Sequence, residues 1–230
     1  MERLILFDID GTLTRSRDGY IPFNEAIRKT FGVDGDIRAV VPDGNTDPMI
    51  VRDIFVQMAI DIEISLTQWR DFTANLRASY HDHLGRGTTA IRALPGALEL
   101  LQALAAEESF ISSIVTGNFE VTAEVKLVAA GLAPYLRRGA YASDSSHRPD
   151  LPAIAKRRCE EVNGRSLNAE HCIIIGDTPK DLEAARQNGM KCILVGTGRY
   201  SIEELLYWSP EGCIENLSDT GAIVTMLSQI

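Results

Sequence analysis

Leu4-Ile5-Leu6-Phe7-Asp8-Ile9-Asp10-Gly11-Thr12-Leu13-Thr14 decides the fold class. An unbroken apolar run that stops at acids and a glycine is the pattern of a strand buried on both faces, ending at a polar edge. Three further runs end in the same way. Residues 110–115 stop at Thr116-Gly117-Asn118, residues 172–175 at Gly176-Asp177-Thr178, and residues 192–195 at Gly196-Thr197-Gly198. Helical patterns lie between them. Residues 97–106 follow Pro95-Gly96, 120–130 precede Gly131, 151–162 follow Pro149, and 181–188 precede Gly189. Proline at the entry and glycine just past the exit are helix start and stop signals. Strand alternating with helix through short connections predicts an α/β fold: a Rossmann-like open parallel sheet with helices on both faces. Such sheets bind ligands at the carboxyl ends of their strands, where these polar clusters fall.

One segment breaks the alternation. Roughly eighty residues separate the first strand from Pro95, too many for a strand-to-helix loop. They show no buried-strand pattern but carry helical stretches near 23–31, 48–60 and 67–81. The reading is a mainly helical cap inserted at residues 15–93, leaving after Thr14 and returning before Leu94. Residues 1–14 and 94–230 then form the α/β core, and the cap lies above the strand ends as a lid would.

Composition narrows the function. Of 230 residues, 45% are apolar and 24% charged, which excludes disorder as the main state. Lys plus Arg is 23 and Asp plus Glu is 32, so the net charge is 23 − 32 = −9. An acidic chain without a basic stripe is a poor nucleic-acid coat, and no Lys/Arg run offers a membrane tether. No apolar stretch has the length of a membrane span. The four cysteines, Cys159, Cys172, Cys192 and Cys213, form no CxxC pair and read as small buried hydrophobes. The run before Asp8 is too short for a signal peptide. A cytoplasmic protein, monomer or homodimer, is expected.

The chemistry concentrates in Asp8-Ile9-Asp10-Gly11-Thr12. Two carboxylates two residues apart in extended chain share one side and repel each other unless a cation lies between them. A hard divalent ion such as Mg²⁺ suits oxygen ligands beside phosphate, and Gly11 lets the chain turn so that both acids reach one centre. The alternative is an ordinary Asp-Gly turn after a strand.

The DxDGT element resembles the first motif of the haloacid dehalogenase superfamily, and the later motifs follow in order. Thr116 matches the second motif, a Ser or Thr at a strand end. Gly176-Asp177-Thr178-Pro179-Lys180-Asp181 matches the fourth, GDxxxD. Arg148-Pro149 stands where the third motif more often has Lys-Pro, with Lys156 as the rival for that role. The resemblance runs from Asp8 to at least Gly198 and includes the place of the helical insertion. It points to the phosphatase branch with a helical cap, similar to phosphoglycolate phosphatases and beta-phosphoglucomutases.

The resemblance implies that Asp8 is the nucleophile and becomes an aspartyl-phosphate, and that Asp10 is the general acid and then the base. It implies Mg²⁺ held by Asp8, the Asp10 carbonyl and Asp177, with Asp181 supporting Asp177 or a metal-bound water. Thr116 would bind phosphate with the backbone N–H groups of Gly117 and Asn118, and Arg148 would supply the fixed positive charge. The implied activity is Mg²⁺-dependent hydrolysis of a small phosphorylated metabolite. A phosphomutase using the same intermediate is the first alternative, and a non-catalytic binding module the second. Asp10 speaks against dehalogenase and phosphonate-cleaving chemistry.

Several signals carry two readings. Thr46 and Asp47 could contact substrate from a lid loop or simply cap the next helix. Arg15 and Arg17 could meet an anion or remain solvated linker charges. His81-x-His83 puts its rings on different helix faces, against a metal pair. His147 reads as a surface loop residue, Trp69 and Trp208 as packing residues, and Lys180 as facing outward.

Overall fold

The computed structural model describes residues 2–230. Its main sheet contains β1 (Arg3–Phe7), β4 (Phe110–Val115), β5 (Arg137–Ala140), β6 (Cys172–Gly176), β7 (Lys191–Val195) and β8 (Gly212–Ile214). They run in the order β5-β4-β1-β6-β7-β8, and every pairing is parallel. The remaining strands, β2 (Thr14–Arg17) and β3 (Ala90–Ala93), form a separate antiparallel ribbon, with Thr14 opposite Ala93 and Arg17 opposite Ala90.

The pleat sorts β1 into two cores. Ile5 and Phe7 join one buried cluster; Leu4 and Leu6 join the other. The same split separates Ile173 and Ile175 from Cys172 and Ile174, and Ile193 and Val195 from Cys192 and Leu194. The first core is closed by α4 (Ala97–Ala105), α5 (Glu120–Ala129) and α9 (Thr220–Gln229) through Leu100, Leu101, Leu127 and Ile223. The second is closed by α6 (Leu151–Asn163), α7 (Pro179–Gln187) and α8 (Ile202–Tyr207) through Ala155, Cys159, Leu182 and Leu205. Layers on both faces explain why these strands read as continuous apolar runs. Chain order moves outward in both directions from β1, so the crevice at its carboxyl end lies between β4 and β6.

Residues 15–89 hold α1 (Tyr20–Phe31), α2 (Asp47–Gln57) and α3 (Leu66–Gly85). Their apolar faces meet in a third cluster built on Phe23, Ile27, Ile54, Phe55, Phe72 and Leu76, which also takes in Phe119 and Val125. Ser65 starts α3 with a reciprocal capping box to Gln68. No described helix is long and apolar enough to cross a membrane.

Two expectations change. Among the described residues the main sheet has six strands, two beyond the four read as apolar runs: Arg137–Ala140 is half basic, and Gly212–Ile214 is three residues long, so neither gives such a run. The segment between β1 and Pro95 also begins and ends in strands, although their burial is patchy and their residues largely polar.

Candidate active site

Asp8 follows directly on β1 and is only 5% exposed. Gly11, at φ +80°, turns the chain away behind it, and a Cβ there would lie 2.4 Å from Asp177 Oδ2. Gly198 approaches Asp177 even more closely, with a Cβ position 1.7 Å from the same oxygen. The two glycines therefore leave room for a buried carboxylate that larger side chains would displace. Thr12 Oγ1 donates to Asp177 Oδ1 at 3.2 Å, a contact the motif reading had not anticipated.

Asp181 ends the GDxxxD element inside the first turn of α7. Its Oδ2 accepts from Thr178 N at 3.0 Å and Thr178 Oγ1 at 2.8 Å, the arrangement of a capping box. Its Oδ1 lies 2.5 Å from Arg148 Nη2, which is also 3.3 Å from Asp8 Oδ1. Arg148 itself is buried in the short turn Arg148–Asp150. Its Nε is buried and has no hydrogen-bond partner among the described residues. Burial opposes the Arg148 charge, but the carboxylates of Asp181 and Asp8 win and raise its pKa. Lys156, the rival, pairs with Glu160 at 2.7 Å along α6.

Asp8, Asp177 and Asp181 each place a carboxylate oxygen within 4.8 Å of the other two. Burial raises the Asp8 pKa from 3.8 to about 6, against the pull of Arg148, and Asp181 and Asp10 push it further up. Asp177 is raised well above its ordinary value by burial and then by Asp8 and Asp181. One guanidinium thus leaves this trio short of positive charge. Three hard oxygen donors with that deficit fit a divalent cation such as Mg²⁺.

Asp10 behaves differently. The Asp10 carboxylate, expected beside Asp8 at one cation, stands outside the trio in this structure. Its Oδ2 takes Lys126 Nζ at 2.6 Å and Asn118 Nδ2 at 2.8 Å. Alternation continues past β1, with Ile9 in the same buried cluster as Ile5 and Phe7, and the partners that hold the Asp10 carboxylate apart are Lys126 and Asn118. Lys126 is the functional-looking residue that sequence reading missed. Its only signal was a lysine on α5 between Val125 and Leu127, both buried.

Thr116 is fully buried at the end of β4 and accepts from Asn118 N at 3.3 Å and Asn118 Nδ2 at 2.9 Å. Gly117 and Asn118 precede α5, which starts at Glu120. Residues 43–47 lie across these loops as a strap. Asp47 N donates to Gly117 O at 2.7 Å, and Phe119 N donates to Asp47 Oδ2 at 2.8 Å. Thr46 Oγ1 donates to Ser146 O at 2.7 Å, and Arg199 Nη1 to Asp43 Oδ2 at 3.1 Å. Thr46 stands at the N-cap of α2 without capping it through its side chain, because its hydroxyl is committed to Ser146. Lys180 is half-buried and donates to Asn45 Oδ1 instead of facing outward. Burial raises the Asp47 pKa from 3.8 to about 7, despite Lys126 and the Phe119 amide.

Between strap and strand ends lies a cavity of about 630 Å³ that includes Asp8, Asp10, Asp47, Thr116, Arg148 and Asp177. Tyr20, Phe23, Ile50 and Tyr80 add an apolar wall from the helical segment. Arg15 lines it, whereas Arg17 is exposed beside Asp18. Thr46, Asp181 and His147 are not among its lining residues. His83 bonds Glu25 at 2.7 Å, away from this cavity. Trp69 packs its ring on Phe72 and Phe119, whereas Trp208 is half exposed and touches Tyr207 edge-on.

The parallel α/β sheet thus carries a buried acidic trio, an arginine and a half-open cavity with polar and apolar walls at its switch point, the layout of an enzyme site. Residues 2–189 match the haloacid dehalogenase-like hydrolase family, and the chain belongs to it. It is 28% identical to a phosphoglycolate phosphatase of Synechococcus elongatus, with 97% of each chain covered. It is 26% identical to a 5'-nucleotidase of Pseudomonas aeruginosa, over 90% of this chain and 88% of that one. Among solved structures, a hydrolase from Pseudomonas syringae shares the fold at TM-score 0.69, with 24% identity and 98% of both chains covered.

Proposed function

We propose that this hydrolase is a Mg²⁺-dependent phosphatase of small phosphorylated metabolites, working through an aspartyl-phosphate on Asp8. The observation that carries the reading is Asp8 at the bottom of the cavity, 3.3 Å from Arg148 and within 4.8 Å of two further carboxylates. Phosphatases and a nucleotidase among its relatives support the same class of substrate. Residues 15–93 act as the cap. The strap at 43–47 and the wall from α1–α3 limit the substrate to what a cavity of this size accepts.

Asp8 attacks phosphorus, which splits one difficult displacement into two easier ones. Arg148 holds the phosphoryl oxygens beside Asp8 through a charge-assisted contact. Thr116 fixes a further oxygen. Asp10, half exposed to the cavity, gives a proton to the leaving oxygen and later takes one from water. Asp8, Asp177 and the Asp10 carbonyl would hold Mg²⁺, with Asp181 behind them, and the bound ion would neutralise charge at the phosphoryl group.

Phosphate release from p-nitrophenyl phosphate and from a panel of phosphorylated metabolites tests the proposal. Turnover is expected with Mg²⁺ and lost in EDTA. Asp8→Asn should lower turnover by at least about 10⁴-fold while the protein stays folded. Isomer formation without phosphate release would show the mutase reaction instead. Full activity of Asp8→Asn would remove Asp8 from its role.

A further inference from the structure

Lys126 has no part in the chemistry described above, yet its environment is built around it. Its side chain is 7% exposed, in the middle of α5. A desolvated ammonium needs partners for its three protons. Nζ lies 2.6 Å from Asp10 Oδ2 and 2.7 Å from Asn118 Oδ1, and the Tyr80 ring stands 5.9 Å from it. Asn118 closes the triangle. Its Nδ2 donates to the same Asp10 oxygen at 2.8 Å and to Thr116 Oγ1 at 2.9 Å. Both clamps fall on Oδ2, and the carboxylate is still 45% exposed where it lines the cavity. Lys126 borders the same cavity, but the hydrogen bonds it makes go to protein groups, Asp10 and Asn118.

We propose that Lys126 is a positioning residue that, with Asn118, locks Oδ2 of Asp10 so that the other carboxyl oxygen faces the substrate's leaving group. This rests on Asp10 being the acid and base of the phosphatase reading. In the first half-reaction the bond from Asp8 to phosphorus forms as the ester P–O bond breaks. The electron pair leaves with the ester oxygen, which receives the Asp10 proton. In the second half-reaction Asp10, now a carboxylate, takes a proton from water. The water oxygen bonds to phosphorus, and the Asp8–phosphorus bond breaks to release phosphate. Both transfers need the same oxygen held on target, and a misplacement of about 1 Å costs about 10²-fold.

Leaving-group acidity separates this role from a purely structural one. p-Nitrophenol departs as a stabilised anion and needs little help from an acid; phenol needs more. We therefore expect Lys126→Met to lower kcat/KM for phenyl phosphate at least about tenfold more than for p-nitrophenyl phosphate, within the range of general-acid effects. Asp10→Asn should show the same selectivity, the double variant should add little to it, and Lys126→Arg should recover part of it. If Lys126→Met does not fold, Asn118→Ala removes the other arm of the lock and should show the same selective loss. A selective loss in Asp10→Asn beside an equal loss on both esters in a folded Lys126 or Asn118 variant would overturn the inference alone. No selectivity in Asp10→Asn, or no turnover of either ester by the wild type, would overturn the phosphatase reading and the inference with it.

Discussion

Arg148 shows what a departure from the commoner lysine achieves at residue scale. A single Nη2 reaches Asp8 and Asp181 together, so one planar head serves two elements, the end of β1 and the start of α7. One ammonium nitrogen could meet two carboxylates as well, so what the guanidinium adds over lysine is a weaker hydration shell and N–H groups beyond Nη2. Asp47 presents the opposite problem, a carboxyl drawn into the protein by its contact with the Phe119 amide. Its pKa is raised from 3.8 to about 7, with burial as the first cause. Over that range the folded chain holds the proton more firmly than the unfolded chain does. Its contribution to stability is therefore full below about pH 4 and lost as pH rises through about 7. Asp47→Asn keeps an acceptor for Phe119 N–H and removes the titration. Unfolding free energies from denaturant titrations between pH 4 and 8 should fall less steeply with pH in that variant than in the wild type. Identical slopes would show that Asp47 does not titrate in this window.

At the scale of elements, α3 joins the inserted helices to the rest of the chain. Phe72 is fully buried, with ring centroids 5.7 Å from Phe23, 6.0 Å from Trp69 and 5.9 Å from Phe119. Phe119 opens α5, so one aromatic cluster spans the cavity's roof and the helix that carries Lys126. Phe72→Ala should cost about 3–5 kcal/mol, read as a lower denaturation midpoint. A loss below about 1 kcal/mol would mean that the cluster repacks around the gap. Elements like these were legible in the sequence because long periodic faces and doubly buried strands write strong patterns. β1, β4, β6 and β7, the helices α1 to α7, and the acids at the strand ends were visible in that way, whereas α8 and α9 were not read. β2, β3, β5 and β8 were not, because a short strand at an edge or in a ribbon need not be apolar. Lys126 escaped for a related reason. A lone helical lysine normally reads as solvated, and only the fold brings Asp10, from a segment 116 residues earlier, against it.

On the scale of the whole molecule, two charge balances have the same sign. The chain carries a net charge of −9, and its site adds three buried carboxylates against one arginine. Folding therefore holds carboxylates at the end of β1 against their preference for charge in water, visible in the pKa values of Asp8 and Asp177, raised first by burial and further by their acidic neighbours. A ligand that binds only the folded state stabilises it by mass action. If Mg²⁺ fills the trio, the native state should gain about 2.7 kcal/mol at a concentration one hundred times its Kd. Melting curves of the whole chain across a Mg²⁺ series, without substrate, should show Tm rising with the logarithm of the ion concentration. Asp177→Asn removes one donor and part of the repulsion together. That variant should start from a higher Tm in EDTA than the wild type and gain less from Mg²⁺. A wild-type Tm that ignores Mg²⁺ would show that the trio does not hold the ion in the free protein.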